Sequence, residues 1–180
     1  MNIKPFLICS ILVFALTSTI STAQAQAISV RNEPNVPLTS QDEIISKYAQ
    51  LLGVPKDSIK NVKLYTLIEQ YSPASYKFGG NDPTGVDCSG FSCIIEKQIY
   101  GVTIPRSTGL QSASAKTKSV SELKEGDLVF LKLGGTQVNH VGVYLQNGYF
   151  IHATSNMGLV LDNIADPNTQ ERFMACGSVK

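Results

Sequence analysis

Tryptophan is absent from this 180-residue chain, and histidine is nearly so, with only His140 and His152. A zinc site of Cys and His would consume almost every candidate ligand, at spacings unlike any common zinc motif, so neither metal nor cofactor is expected. An excess of one charge is missing too: fifteen Lys and Arg stand against fourteen Asp and Glu. That balance favours neither nucleic acid nor an anionic membrane as a partner. No repeat or low-complexity tract is present. The longest apolar run, Pro5 to Thr17, is about 13 residues, short of the roughly 20 that a membrane-spanning helix needs. Lys4 before it, and Ala23-Gln24-Ala25 or Ala25-Gln26-Ala27 after it, read as a signal peptide over residues 1–27. Cys9 follows Pro5 too soon for a lipid attachment site. The expectation is a soluble, exported protein, in the periplasm or outside the cell.

Cysteine is scarce. Loss of residues 1–27 leaves Cys88, Cys93 and Cys176, an odd number, so at least one thiol stays free. The CxxC spacing of a redox pair is also lacking.

Several local signals are strong. Residues 28–39 carry Pro34 and Pro37 and read as an extended lead-in. Ser40 and Glu43 form a capping box, followed by Ile44, Ile45, Tyr48, Leu51 and Leu52 at helical spacing and a stop at Gly53 and Pro55. A second helical pattern runs Leu64, Leu67, Ile68, Tyr71, ended by Pro73. The glycine-rich segment 76–87 reads as a loop. Asp87 is a good N-cap for a helix from Cys88 to Tyr100, with Gly101 as its stop. Ser107 caps a short helix to about Ala115. From Gly126 the period changes to that of strands: 127–133, 140–146, 149–155, 158–163 and 173–179. Helices followed by a meander of antiparallel strands make an α+β domain, with the helices packed on one side of the sheet.

The helix at 88–100 separates its two cysteines. Five residues turn an α-helix by about 500°, so Cys88 and Cys93 point roughly 140° apart and cannot bridge. Cys93 is expected to be a small buried residue. Cys88 lies at the first helical position, where free backbone N–H groups favour a thiolate and could also receive an oxyanion. Ser89 and Gly90 beside it are small. A buried structural cysteine fits this stretch equally well.

A cysteine nucleophile needs a base and a group to orient it. His140 opens one strand and His152 lies in the next, so hairpin register decides whether they meet. With Asn147-Gly148 as a two-residue turn, Leu145 pairs with Phe150 and the histidines fall on opposite faces. With Gln146-Asn147-Gly148 as a three-residue loop and Gly148 left-handed, Leu145 pairs with Tyr149. The latter register groups Val141, Val143, Leu145, Ile151 and Ala153 on one face. It puts His140, Gly142, Tyr144, Phe150, His152 and Thr154 on the other. The hydrophobic pattern therefore favours the bulged register, with Gly142 leaving space beside the histidines.

Six ordered blocks, Tyr76–Gly80, Asp87–Phe91, Ile104–Thr108, Glu125–Phe130, Asn139–Leu145 and Phe150–Ser155, resemble the NlpC/P60 family of bacterial cell-wall peptidases. The similarity spans about residues 64–176 and is nearest the short, single-domain, Spr-like murein endopeptidases. It implies a papain-like fold, with a helical extension at 28–62 and a catalytic domain at 63–180. By position it makes Cys88 the nucleophile, His140 the base and His152 the orienting residue. Tyr76 and Ser89 would hold the oxyanion or position substrate, while Arg106 and Asp127 are read as structural. The implied partner is the peptidoglycan stem peptide, and a monomer is expected. The bond cut would be the D-alanyl–meso-diaminopimelate cross-link or the γ-D-glutamyl–meso-diaminopimelate bond, with a slight preference for the cross-link. Alternatives are a non-catalytic peptidoglycan-binding module and a thiol-dependent acyltransferase. Two departures stand out. Ser72-Pro73-Ala74-Ser75 replaces the Trp or Gly-Thr-Pro often found before the tyrosine, and residues 28–62 are too few for a bacterial SH3 repeat.

Overall fold

The computed structural model describes residues 40–180. The expected signal peptide and the lead-in at 28–39 lie outside them.

Helix α1, Gln41–Leu52, begins at the capping box: the Glu43 N–H donates to Ser40 Oγ at 3.2 Å, and the Ser40 N–H donates to Glu43 Oε2 at 3.3 Å. It ends at Gly53 in the left-handed region. Helix α2 spans Val62–Tyr71, with Asn61 as its side-chain cap. Helix α3, Cys88–Tyr100, starts at Asp87 and stops at Gly101. Helix α4, Thr108–Ser114, follows Ser107, although the Ser107 side chain makes no capping bond.

Segment 76–87 is not the plain loop that its glycines suggest. Strands β1 (Ser75–Tyr76), β2 (Asn81–Asp82) and β3 (Gly85–Val86) form a small sheet in the order β1-β3-β2. Two-residue strands are too short for a hydrophobic alternation to announce them.

The main sheet comprises β4 (Lys116–Thr117), β5 (Leu128–Leu131), β6 (His140–Tyr144), β7 (Tyr149–Thr154), β8 (Gly158–Asn163) and β9 (Phe173–Ser178). Its order, β4-β9-β5-β6-β7-β8, departs from a simple meander. Strands β5 to β8 do follow one another, but β9 returns to pair antiparallel with β5. The return passes through helix α5, Pro167–Arg172, which Asp166 caps and Pro167 opens.

The hairpin between β6 and β7 adopts the bulged register. Val143 pairs with Ile151 and Tyr144 with Phe150, and the Leu145 N–H donates to the Tyr149 carbonyl at 2.8 Å. The turn itself combines both options drawn from the sequence. Asn147 and Gly148 both have positive φ, as a two-residue hairpin turn requires, and the Tyr149 N–H donates to the Gln146 carbonyl at 2.9 Å. Leu145 and Gln146 thus both oppose Tyr149, which adds the residue that shifts the register.

Two clusters divide the sheet by face. One gathers Val141, Val143, Leu145, Ile151 and Ala153 with Phe91 and Ile95 of α3 and with Ile44, Tyr48, Leu52, Leu64 and Ile68 of α1 and α2. The first two helices therefore share the main core, each fully buried side chain contributing about 1.5–3 kcal/mol. The other face holds a smaller cluster of Val129, Leu131, Phe150 and Ile164. No described helix is long and apolar enough to cross a membrane.

Candidate active site

The start of α3 is held by one carboxylate. Asp87 Oδ1 accepts the Gly90 N–H at 2.7 Å, and Oδ2 accepts the Gly79 N–H at 2.7 Å. Arg106 grips the same carboxylate with both arms, Nη1 to Oδ1 at 2.8 Å and Nη2 to Oδ2 at 3.0 Å. The guanidinium also donates to the Gly80 carbonyl and to Ser89 Oγ, each at 2.9 Å. Burial works to raise the Asp87 carboxyl, but the Arg106 bonds and the two amides outweigh it and hold the group below its ordinary value. The result ties the Tyr76–Gly80 segment to the first turn of α3. Gly90 is required there, since a Cβ would collide with the Gly80 carbonyl oxygen and the Arg106 guanidinium.

Cys88 heads this helix and is 8% exposed. Its Sγ lies 3.8 Å from Thr108 Oγ1 on α4, a neighbour that sequence reading did not single out. Among the described residues, no acceptor faces the Cys88 or Ser89 amide, so both N–H groups at the helix start are uncommitted. The Ser89 hydroxyl is already bound to Asp87 and Arg106, so only its backbone can meet a substrate. Tyr76, half-buried in β1, has its hydroxyl pushed up by burial and then by charge on Cys88 and Asp87. All three described cysteines are free. Contrary to expectation Cys93 is only half-buried, its thiol donating to the Pro105 carbonyl at 3.4 Å.

The two histidines meet. His140 Nε2 is 2.7 Å from His152 Nδ1, with the rings edge-on at 80° and their centroids 4.9 Å apart. Both residues are buried, and the bulged hairpin register makes the contact possible. The space beside Gly142 is filled by its own neighbours: a Cβ there would lie 2.5 Å from Phe150 Cδ2 and 3.2 Å from His152 Cβ. Beyond His152 comes a residue missed from sequence: His152 Nε2 is 3.0 Å from Asp162 Oδ2 on β8. Burial, and then the positive charge His152 can carry, push the His140 imidazole down to about 3. His140 is therefore neutral at pH 7. The Asp162 carboxyl sits below its ordinary value, first because His152 bonds to it, with burial opposing and Arg172 of α5 adding a favourable charge.

Helix α3 packs against β6 and β7, which carry these histidines. No hydrogen bond joins Cys88 to His140 among the described residues, and His140 Nδ1 is left without one.

The NlpC/P60 family model matches residues 74–178. A curated relative from Escherichia coli K12, "Murein DD-endopeptidase MepS/Murein LD-carboxypeptidase", is 29% identical over 160 residues, covering 87% of this chain and 79% of that one. The "Probable endopeptidase NlpC homolog" of Haemophilus influenzae is 35% identical over 101 residues, covering 56% of this chain and 53% of that one. Among solved structures, the NlpC/p60 domain of the peptidoglycan hydrolase SagA superposes with a TM-score of 0.55 at 28% identity, covering 67% of this chain and 99% of that one.

Proposed function

Because the chain belongs to the NlpC/P60 family of cell-wall peptidases, we propose that this peptidoglycan hydrolase cuts stem peptides at the D-alanyl–meso-diaminopimelate cross-link, with Cys88 as its nucleophile. The observation that carries the chemistry is the hydrogen-bonded His140–His152 pair, on strands packed under the helix that Cys88 heads. The choice of bond is supported by the DD-endopeptidase name of the Escherichia coli relative.

In this reading the Cys88 thiol gives its proton to His140 Nδ1 as sulfur attacks the scissile carbonyl. The carbonyl oxygen takes the negative charge and lies against the uncommitted Cys88 and Ser89 amides, with the Tyr76 hydroxyl alongside. Collapse of the tetrahedral adduct breaks the C–N bond, and the His140 proton leaves on the amine. Water then attacks the thioester, giving its proton to His140, and the thiol is restored. A neutral resting His140 suits this sequence, since it must be able to accept a proton at the outset. His152 holds the ring in place.

Digestion of defined muropeptides, read by LC-MS, tests the proposal. Conversion of a cross-linked dimer to monomers by the wild type, and not by Cys88→Ala, is the expected result. Release of a meso-diaminopimelate-containing dipeptide from an uncrosslinked tetrapeptide would move the cut to the γ-D-glutamyl bond. Binding to sacculi without cleavage would favour a binding module.

A further inference from the structure

The His140–His152 pair is ambiguous by itself. Each neutral imidazole has one N–H and one lone pair, so the 2.7 Å bond between them can run in either direction. In one direction His140 carries its proton on Nε2 and donates to His152, which leaves Nδ1 as a lone pair. In the other His152 donates, His140 carries its proton on Nδ1, and no basic nitrogen is left for a thiol. Only the first arrangement can take a proton from Cys88.

Asp162 removes the ambiguity. An ionised carboxylate can only accept, so His152 Nε2, at 3.0 Å from Asp162 Oδ2, must carry the proton. With His152 neutral, its Nδ1 is then an acceptor, and His140 Nε2 must donate to it. We infer that Asp162 is a positioning residue of the active site: through His152 it dictates which nitrogen of His140 is left basic. Its placement follows from the sheet. His152 pairs with Val160, which puts Asp162 two residues along on the same face of β8. Arg172 of α5 helps to keep the carboxylate charged, and among the described residues the two histidines are the other titratable groups that bear on it. The consequence for rate rests on the cysteine-hydrolase reading above, whereas the proton positions do not.

Two readouts separate these claims. Nitrogen NMR of the labelled histidines at neutral pH reports the tautomers directly, and the chain has only two to assign. The wild type is expected to show His140 and His152 both protonated at Nε2. Asp162→Asn can donate as well as accept, so both rings should move to a mixture of tautomers, while Asp162→Glu restores the wild-type pattern. In muropeptide cleavage, Asp162→Asn lowers kcat roughly 10- to 100-fold with little change in KM, and Asp162→Glu recovers part of it. The Asp162 charge works to raise His140, so losing it moves the acid limb of the kcat profile to lower pH. A wild-type His140 protonated at Nδ1 would overturn the inference even if no variant folded. So would an Asp162→Asn protein with unchanged tautomers and unchanged kcat, beside an inactive Cys88→Ala control. Failure of the wild type to cleave, with the tautomers as stated, would sink the hydrolase reading and leave the role of Asp162 standing.

Discussion

Arg106 closes both of its arms on Asp87, the residue that caps the helix that Cys88 heads, at 2.8 and 3.0 Å. Asp87 is almost wholly buried, whereas the Arg106 side chain is 41% exposed. Truncation to Arg106→Ala leaves a buried carboxylate with only amide and hydroxyl partners. Because water can reach the vacated side, the expected loss is about 1–3 kcal/mol rather than the ~3–5 kcal/mol of a fully buried pair. Arg106→Lys cannot reproduce the paired bonds and falls between the two. Urea unfolding midpoints would check this order, and wild-type stability in Arg106→Ala would contradict it.

Asn147 links the histidine hairpin to the first helix. Its Nδ2 donates to the Leu52 carbonyl at the end of α1, at 2.8 Å, while its own φ is +53°. Asn147→Gly keeps the backbone at ease and loses only the bond, whereas Asn147→Ala loses the bond and adds left-handed strain of about 1 kcal/mol. Thermal melts are expected to rank wild type above Gly and Gly above Ala.

Gly142→Ala forces a methyl against Phe150 and the His152 Cβ. The expected cost is about 1–3 kcal/mol of stability. If His140 is the base proposed above, activity is expected to fall further than the folded fraction does, because the displaced His152 is its hydrogen-bond partner. Circular dichroism and cleavage rates measured on the same sample would compare the two losses.

Stability is expected to respond to two buried groups with opposite signs. His140 is held down to about 3 in the folded chain against an ordinary 6.5, so the unfolded chain binds more protons between those values. Stability from this group is full above 6.5 and falls as pH drops toward 3, by up to about 1.4 kcal/mol per pH unit. Glu96, wholly buried with Oε2 unpartnered, is pushed by burial up to about 7 from 4.5, with Lys180 pulling the other way. Here the folded chain holds the extra proton, so its contribution is full below 4.5 and lost as pH rises through 7. Between 4.5 and 6.5 the two slopes oppose one another, so wild-type denaturation midpoints are expected to be nearly flat there, whereas Glu96→Gln exposes the His140 contribution as a steeper rise with pH, with the fall below 4.5 unchanged. An unaltered slope in the variant would rule out a contribution from Glu96.

What the sequence announced was local or periodic. The capping box at Ser40, the Asp87 cap and the Gly101 stop each depend on a few adjacent residues, and each appears as expected. The histidine contact was legible because only one hairpin register kept the apolar residues on a single face. Other features depended on partners far along the chain. Asp162 reaches His152 only through the β7–β8 register, and "GLVLDN" alone does not show which neighbour its aspartate meets. Strand alternation, with Thr154 opposite Gly158, places Val160 and Asp162 on the histidine face. The position of β9 beside β5 could not be read from alternation, which gives a strand its faces but not its neighbours. Thr108 comes to Cys88 by the packing of α4, and no spacing encodes that.

The central claim is that Cys88 passes a stem-peptide acyl group to water. Digestion of a cross-linked muropeptide dimer in heavy-oxygen water, followed by mass spectrometry of the products, tests it most directly. The wild type is expected to yield monomers in which the new D-alanyl carboxylate carries one heavy oxygen, and Cys88→Ala to yield none. Products without the label would mean transfer to another acceptor. A dimer left intact by the wild type, or cleaved equally by Cys88→Ala, would contradict the account.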